Sequence, residues 1–195
     1  MNRQTIPVDK FFFNPAFFEE KWLLLTAGTF AADGASAGSG RASSGGGVTR
    51  QKGCSFNSMT VSWGSVGQIW NKPFFQVVVR PSRYTFAFMN GSETFTLCAF
   101  PPEYRKILAL LGSKSGRDGD KIRESGLTPI ASRLVSAPGY DEAELIVECR
   151  KLYWQDMDNR HFLDASIEDN YSGGDYHRIF YGEILAVSGT LAYFA

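Results

Sequence analysis

Histidine is the scarcest informative residue in this chain of 195: only His161 and His177 occur. A catalytic metal site built from several histidines is therefore excluded within one chain, and any Ser–His or Cys–His couple must use one of these two. Cysteine is nearly as sparse. Cys54, Cys98 and Cys149 lie far apart, show no C-x-x-C spacing and leave an odd count, which argues against a disulfide framework or a structural zinc site and for reduced thiols. Excess charge is missing too: 20 basic and 20 acidic residues balance, with no basic stripe of the kind that nucleic-acid binding requires. No apolar run approaches a membrane span, since the aromatic stretch Phe11–Phe18 is broken by Asn14 and Pro15. Met1–Lys10 lacks the basic start and apolar run of a secretory signal, so a cytoplasmic location is expected, without membrane or nucleic-acid partners.

What is present is an ordinary globular composition, 44% hydrophobic and 21% charged, with 14% aromatic residues that include sixteen Phe. The length suits one domain covering residues 1–195. Within it, the stretch from about 31 to 53 turns abruptly to Gly, Ser and Ala. It offers too little apolar surface to offset its backbone entropy and reads as a flexible insertion.

Elements follow from periodicity. Residues 19–29 read as a short helical entry and a buried strand. Ser58–Trp63 alternates, with Ser58, Thr60 and Ser62 on one half-exposed face and Met59, Val61 and Trp63 on the other. Phe74–Val79 reads as a strand covered on both faces. Ser82 is placed to cap a short helix from about Arg83 to Asn90 that stops at Gly91. Thr94–Ala99 is a strand. Pro101 and Pro102 introduce a helix bearing Tyr104, Ile107, Leu108 and Leu111 on one face and ending at Gly112, and Lys121–Ser125 is a short helix closed by Gly126. Leu145–Leu152 and Ile179–Val187 are strands on either side of a loop over residues 156–176. Strands outnumber helices and the gaps are short for crossovers, which favours a mainly β fold, an antiparallel β-barrel with helical excursions.

Two stretches carry chemistry. In Arg80-Pro81-Ser82-Arg83-Tyr84-Thr85, two guanidinium groups and two hydroxyls converge where a buried strand meets a helix start, a natural seat for a phosphate. A plain charged turn on the surface is the alternative. In Asn57-Ser58-Met59-Thr60-Val61-Ser62-Trp63-Gly64, short polar side chains and strand-edge amides suit a ligand rich in carbonyl and ring-nitrogen acceptors; a half-exposed strand without a ligand is the alternative.

These two stretches, with Trp70-Asn71-Lys72-Pro73 between them, resemble the flavin reductase-like FMN-binding split barrels, and among these the flavoredoxin group. The likeness continues through Gly112–Lys121, Cys149–Tyr153, Asp175-Tyr176-His177-Arg178 and Tyr181–Ile184, covering most of residues 22–187 in order. The resemblance implies that Asn57, Ser58, Met59, Thr60, Ser62 and Trp63 line the flavin ring and ribityl chain of FMN. Arg80, Ser82, Arg83 and Thr85 would hold its phosphate, and Ser115 and Lys121 would close over it. His177 would stand at the flavin edge, orienting nicotinamide or exchanging a proton; its alternative is a structural histidine bonded to backbone. His161, in a polar loop, is the lesser candidate. The implied activity is an FMN-dependent oxidoreductase that takes hydride from NADH or NADPH and passes electrons to free flavin, ferric ion or a protein acceptor, working as a homodimer. Two other readings stay open: an FMN electron carrier without NAD(P)H turnover, and a cofactor-less barrel acting as a binding module. The insertion at 31–53 departs from the family's tight turn, and Cys54 beyond it is read as a buried, inert thiol within reach of the ring.

Overall fold

Alternation along one strand sets the plan of the molecule. In β2 (Leu23–Thr29), Leu23, Leu25 and Ala27 enter one buried cluster while Leu24 enters a second on the opposite face. A fully buried aliphatic side chain contributes about 1.5–3 kcal/mol, so this strand is committed on both sides. The structure is a computed structural model that describes residues 2–11, 16–31 and 55–194. Ahead of β2 come β1 (Gln4–Ile6) and α1 (Phe17–Lys21). After it follow β3 (Ser55–Val61), β4 (Gly64–Ile69), β5 (Lys72–Val79) and α2 (Tyr84–Gly91). Next are β6 (Thr94–Ala99), α3 (Arg105–Ser113), α4 (Lys121–Ser125), and the two-residue strands β7 (Pro129–Ile130) and β8 (Gly139–Tyr140). The long strands β9 (Leu145–Asp156) and β10 (Arg178–Gly189) complete the order.

The main sheet runs β3-β2-β6-β9-β10-β5-β4, with β1 added along β10, and every pairing is antiparallel. Its two ends, β3 and β4, are consecutive in the chain and joined through Ser62 and Trp63, but no ladder pairs them among the described residues. The sheet is thus a barrel left split between β3 and β4. The first core cluster fills its interior, with Phe75, Val77, Val79, Phe95, Leu97, Val147 and Phe180 all fully buried. The second cluster, including Cys98, Leu108, Leu111, Tyr140 and Ile146, packs α3 against the outside of β2, β6 and β9.

Most of the expected elements are present. Pro102–Tyr104 forms a 3-10 turn into α3, whose Leu108 and Leu111 are buried with Tyr104 and Ile107 packed against the same cluster. Gly126 takes the left-handed conformation that ends α4. Three expectations need correction. Ser82 is not the helix cap: α2 starts one residue later, with Arg83 at the cap position and no side-chain cap bond, and Gly91 belongs to the helix. Gly112 lies inside α3 rather than ending it; there a Cβ would stand 3.2 Å from Thr60 Cβ, so glycine lets the helix approach β3. Phe74–Val79 is not covered on both faces throughout, because Phe74 and Gln76 are only half-buried. The loop over 156–176 contains 3-10 turns at Asn159–His161 and Ala165–Tyr171. Almost all of the Gly/Ser-rich stretch, and Cys54, lie outside the described residues. No helix among the described residues is long and apolar enough to cross a membrane.

Candidate functional site

A cleft of about 230 Å³ opens at the split of the barrel, lined by Met59, Thr60, Val61, Ser62, Trp63, Val78, Arg80, Arg83 and His177. Each wall has a local cause. β3 is the end strand of the sheet and runs out at Val61, so its last residues and the Ser62–Trp63 link meet the opening rather than a neighbouring strand. Val78 sits near the end of β5, and the turn that follows carries Arg80 to Arg83, closed by Arg83 N–H donating to Arg80 O at 3.0 Å. His177 immediately precedes β10, whose first residue pairs with Val79. Three segments remote in sequence therefore converge because β10 pairs with β5 and β3 ends where β4 begins.

The cleft is mixed in character. The turn after β5 gives it the charges of Arg80 and Arg83, and Met59, Val61, Val78 and the indole of Trp63, which is 47% exposed, give it apolar surface. The Trp63 and His177 rings lie 5.4 Å apart at 54°. His177 is 8% exposed, and its Nδ1 is 2.9 Å from the Tyr171 hydroxyl. Burial, then the neighbouring Arg80 charge, pulls its pKa down to about 4, against a smaller opposing pull from Asp175, so the ring is neutral at physiological pH. Tyr171 also lies under the Arg80 guanidinium at 5.0 Å and donates to Met157 Sδ at 3.3 Å. It joins Arg80 to the histidine, and the sequence reading missed it. The available signal was the cluster of Phe162, Tyr171 and Tyr176 in the loop before His177.

Seven of the expected site residues share this cleft: Met59, Thr60, Ser62, Trp63, Arg80, Arg83 and His177. The other six are placed elsewhere. Ser58 and Thr60 do share a face opposite Met59 and Val61, but that face is covered by α3 instead of being half-exposed. Ser58 is fully buried in a hydroxyl chain, 2.7 Å from Thr26 Oγ1 and 2.6 Å from the Tyr140 hydroxyl, and Thr60 donates to Leu108 O at 2.5 Å. Trp63, past the end of the strand, has left the face of Met59 and Val61 for solvent. Asn57 and Thr85 are buried against each other, with Asn57 Nδ2 donating to Thr85 Oγ1 at 2.6 Å. Ser115 accepts from Arg117 N–H within its own turn. Lys121 is buried with its ammonium donating to Leu111 O and Lys114 O at 2.8 and 2.9 Å. It caps the carboxyl end of α3, and burial lowers its pKa to about 8.

Within the Arg-Ser-Arg-Thr cluster, each member already has a protein partner. Arg80 donates to Asn170 O and Asp175 O, Arg83 to Gly112 O, and Ser82 through both N–H and Oγ to the Asp175 carboxylate. His161 is exposed on its 3-10 turn. Cys98 and Cys149 are fully buried free thiols whose pKa values burial pushes up, that of Cys98 to about 12, as expected of inert core thiols.

A ligand suited to these side chains carries negative charge together with apolar or aromatic surface. FMN has both, and the chain offers arginines for its phosphate and an aromatic–aliphatic wall for its ring. The comparisons with known proteins agree in kind. No curated protein sequence matches the chain. Among solved structures, an FMN-binding domain of a flavin reductases-like enzyme from Shewanella baltica superposes with a TM-score of 0.63 at 15% identity, covering 96% of this chain and 77% of that one. Flavoredoxin from Methanosarcina acetivorans gives 0.58 at 22% identity over 90% and 71%. Nitrilotriacetate monooxygenase component B from Bacillus cereus gives 0.60 at 14% over 90% and 72%. The model of the flavin reductase like domain matches residues 43–194, and with that match over most of its length, on a split antiparallel barrel, this chain belongs to the flavin reductase-like family.

Proposed function

We propose that the chain binds FMN in the cleft between the end of β3, the turn after β5 and the start of β10, and acts as an NAD(P)H-dependent flavin reductase-like oxidoreductase. The observation that carries this reading is that one cleft brings two arginines, Arg80 and Arg83, together with Met59, Val61, Val78 and the Trp63 and His177 rings. When bound, FMN supplies the redox chemistry, accepting hydride from NADH or NADPH and giving electrons on to free flavin, ferric ion or a protein. The chain's own residues bind and orient. Arg80 and Arg83 neutralise the phosphate, whose charge of about −1.5 to −2 near neutral pH suits two guanidinium groups. The unpaired edge of β3 offers backbone donors and acceptors to the polar rim of the ring, while Trp63 covers an apolar face. His177, neutral and tied through Nδ1 to Tyr171, keeps Nε2 for a proton at that rim.

The same reading includes a homodimer. Trp70, Tyr153, Tyr181 and Phe74 form a chain of aromatic contacts across β5, β9, β10 and the β4–β5 turn, with Trp70 58% exposed, a surface suited to a second copy. Sedimentation equilibrium of the wild type and of Trp70→Glu checks it: a monomeric wild type refutes the dimer.

A second reading, a cofactor-less binding barrel, is favoured by the intramolecular partners already held by Arg80, Ser82, Arg83 and Thr85. Titration decides between them. Purified protein should be yellow or take up added FMN, and NADH or NADPH should bleach it anaerobically. Flavin uptake without nicotinamide oxidation would leave an electron carrier. Arg80→Ala combined with Arg83→Ala should raise the FMN Kd by roughly 10- to 100-fold, the loss expected for charge-assisted bonds worth about 1.5–3 kcal/mol. Riboflavin, which has no phosphate, should be nearly unaffected; equal losses for both ligands refute the assignment.

A further inference from the structure

We infer that Asp175 sets how strongly this site holds a phosphate-bearing flavin: its carboxylate occupies the donors at Ser82 that a phosphate would use, so a phosphomonoester enters by displacing it. The inference rests on the FMN reading above and adds to it a residue that opposes the ligand.

The geometry is that of an anion already seated. Ser82 N–H donates to Asp175 Oδ1 at 3.2 Å and Ser82 Oγ to Oδ2 at 2.5 Å, so both carboxylate oxygens are engaged by one residue of the turn between Arg80 and Arg83. The turn is held from the other side by Arg117, which donates to Ser82 O at 3.1 Å. Arg80 is drawn to the same strap, donating to Asn170 O at 2.7 Å and to Asp175 O at 3.3 Å with its guanidinium over Tyr171. The segment 170–175 therefore supplies its own negative charge, and its own carbonyls, to the arginine-bearing turn of the cleft.

Three features make this contact displaceable. Asp175 forms no ion pair among the described residues, so its carboxylate is held by two neutral donors although two arginines flank the residue it binds. It is only partly buried, so release returns it to water at little desolvation cost. The strap reaches it through Gly173 and Gly174, the latter at φ +69°, where backbone rearrangement meets the least steric resistance. A phosphate dianion makes stronger charge-assisted bonds with Arg80, Arg83 and Ser82 than a carboxylate does with Ser82 alone, and the two anions repel each other if both remain. Net affinity for the phosphate is the difference. Riboflavin has nothing to place there and is indifferent to Asp175.

The test is fluorescence titration of wild type, Asp175→Asn and Asp175→Ala with FMN and with riboflavin. The FMN Kd should fall about tenfold in both variants, the equivalent of ~1.4 kcal/mol, and the riboflavin Kd should not move. An FMN Kd unchanged or raised in a variant with wild-type circular dichroism, or equal shifts for both flavins, overturns the role of Asp175 while leaving the FMN reading in place. Failure of wild type and variants alike to bind either flavin removes that reading and this one together. Hydrogen exchange on the wild-type protein gives an answer that needs no variant: FMN, but not riboflavin, should speed exchange across residues 170–175. Protection or no change there overturns the displacement.

Discussion

Acidification should weaken this fold through one identifiable side chain. His177 is held neutral by burial and by the Arg80 charge, with a pKa of about 4 against an ordinary 6.5. The unfolded chain takes up a proton at pH 6.5 whereas the folded chain resists until about pH 4, so between these values the unfolded state binds more protons. Stability from this group is complete above pH 6.5, falls as the pH drops through that window, and levels off below it. The depressed pKa corresponds to a ceiling of roughly 3 kcal/mol, most of which is already lost at pH 4.5. The perturbation is His177→Gln, which keeps a polar group beside Tyr171 but cannot titrate. Urea unfolding of wild type and variant at pH 7 and pH 4.5 supplies the assay. The carboxylates held low by arginine partners, such as Asp156 beside Arg178, titrate in both proteins and cancel in the comparison. The variant should lose roughly 1–2 kcal/mol less than the wild type between the two pH values. Parallel losses would refute both the neutral histidine and the environment that explains it.

Two further outcomes follow from the packing. Gly182→Ala should destabilise the barrel by about 1–3 kcal/mol, because its Cβ would stand 2.4 Å from the Phe95 ring and 2.9 Å from Cys149 Cβ in the closed interior; a Tm equal to that of the wild type would refute this. In a Cys54→Ser protein, Cys98 and Cys149 should be silent to a thiol reagent in the native state and both react after denaturation, since burial raises both thiols; rapid native labelling would contradict their placement.

The strands and helices with strong periodicity are legible in the sequence itself. β6, α3 and α4 announce themselves because apolar spacing, Pro101–Pro102 and Gly126 all agree. β4 was not legible: Gly64 and Gly67 interrupt it and leave only Val66 and Ile69 apolar, three apart, so that only the tertiary pairing with β5 makes it a strand. The hairpin between them turns on Trp70 and Asn71, both at positive φ, an uncommon conformation for a tryptophan. Half of the site was legible as a cationic turn beside a strand end. What one-dimensional reading could not supply was the competition for each polar side chain. Ser82 looked like a helix cap by position, yet a carboxylate 93 residues away claims it, and Ser58 looked solvent-facing by alternation until α3 covered that face.

The seam between β3 and β4 has a consequence for how a bulky guest comes and goes. No ladder hydrogen bond among the described residues spans it, so widening this mouth breaks no strand pairing there and strains only side-chain packing, that of Met59 and Val61 on the interior. Exchange of the proposed flavin should then run faster than unfolding, with the two-residue Ser62–Trp63 tether acting as the living hinge of a door that was never latched.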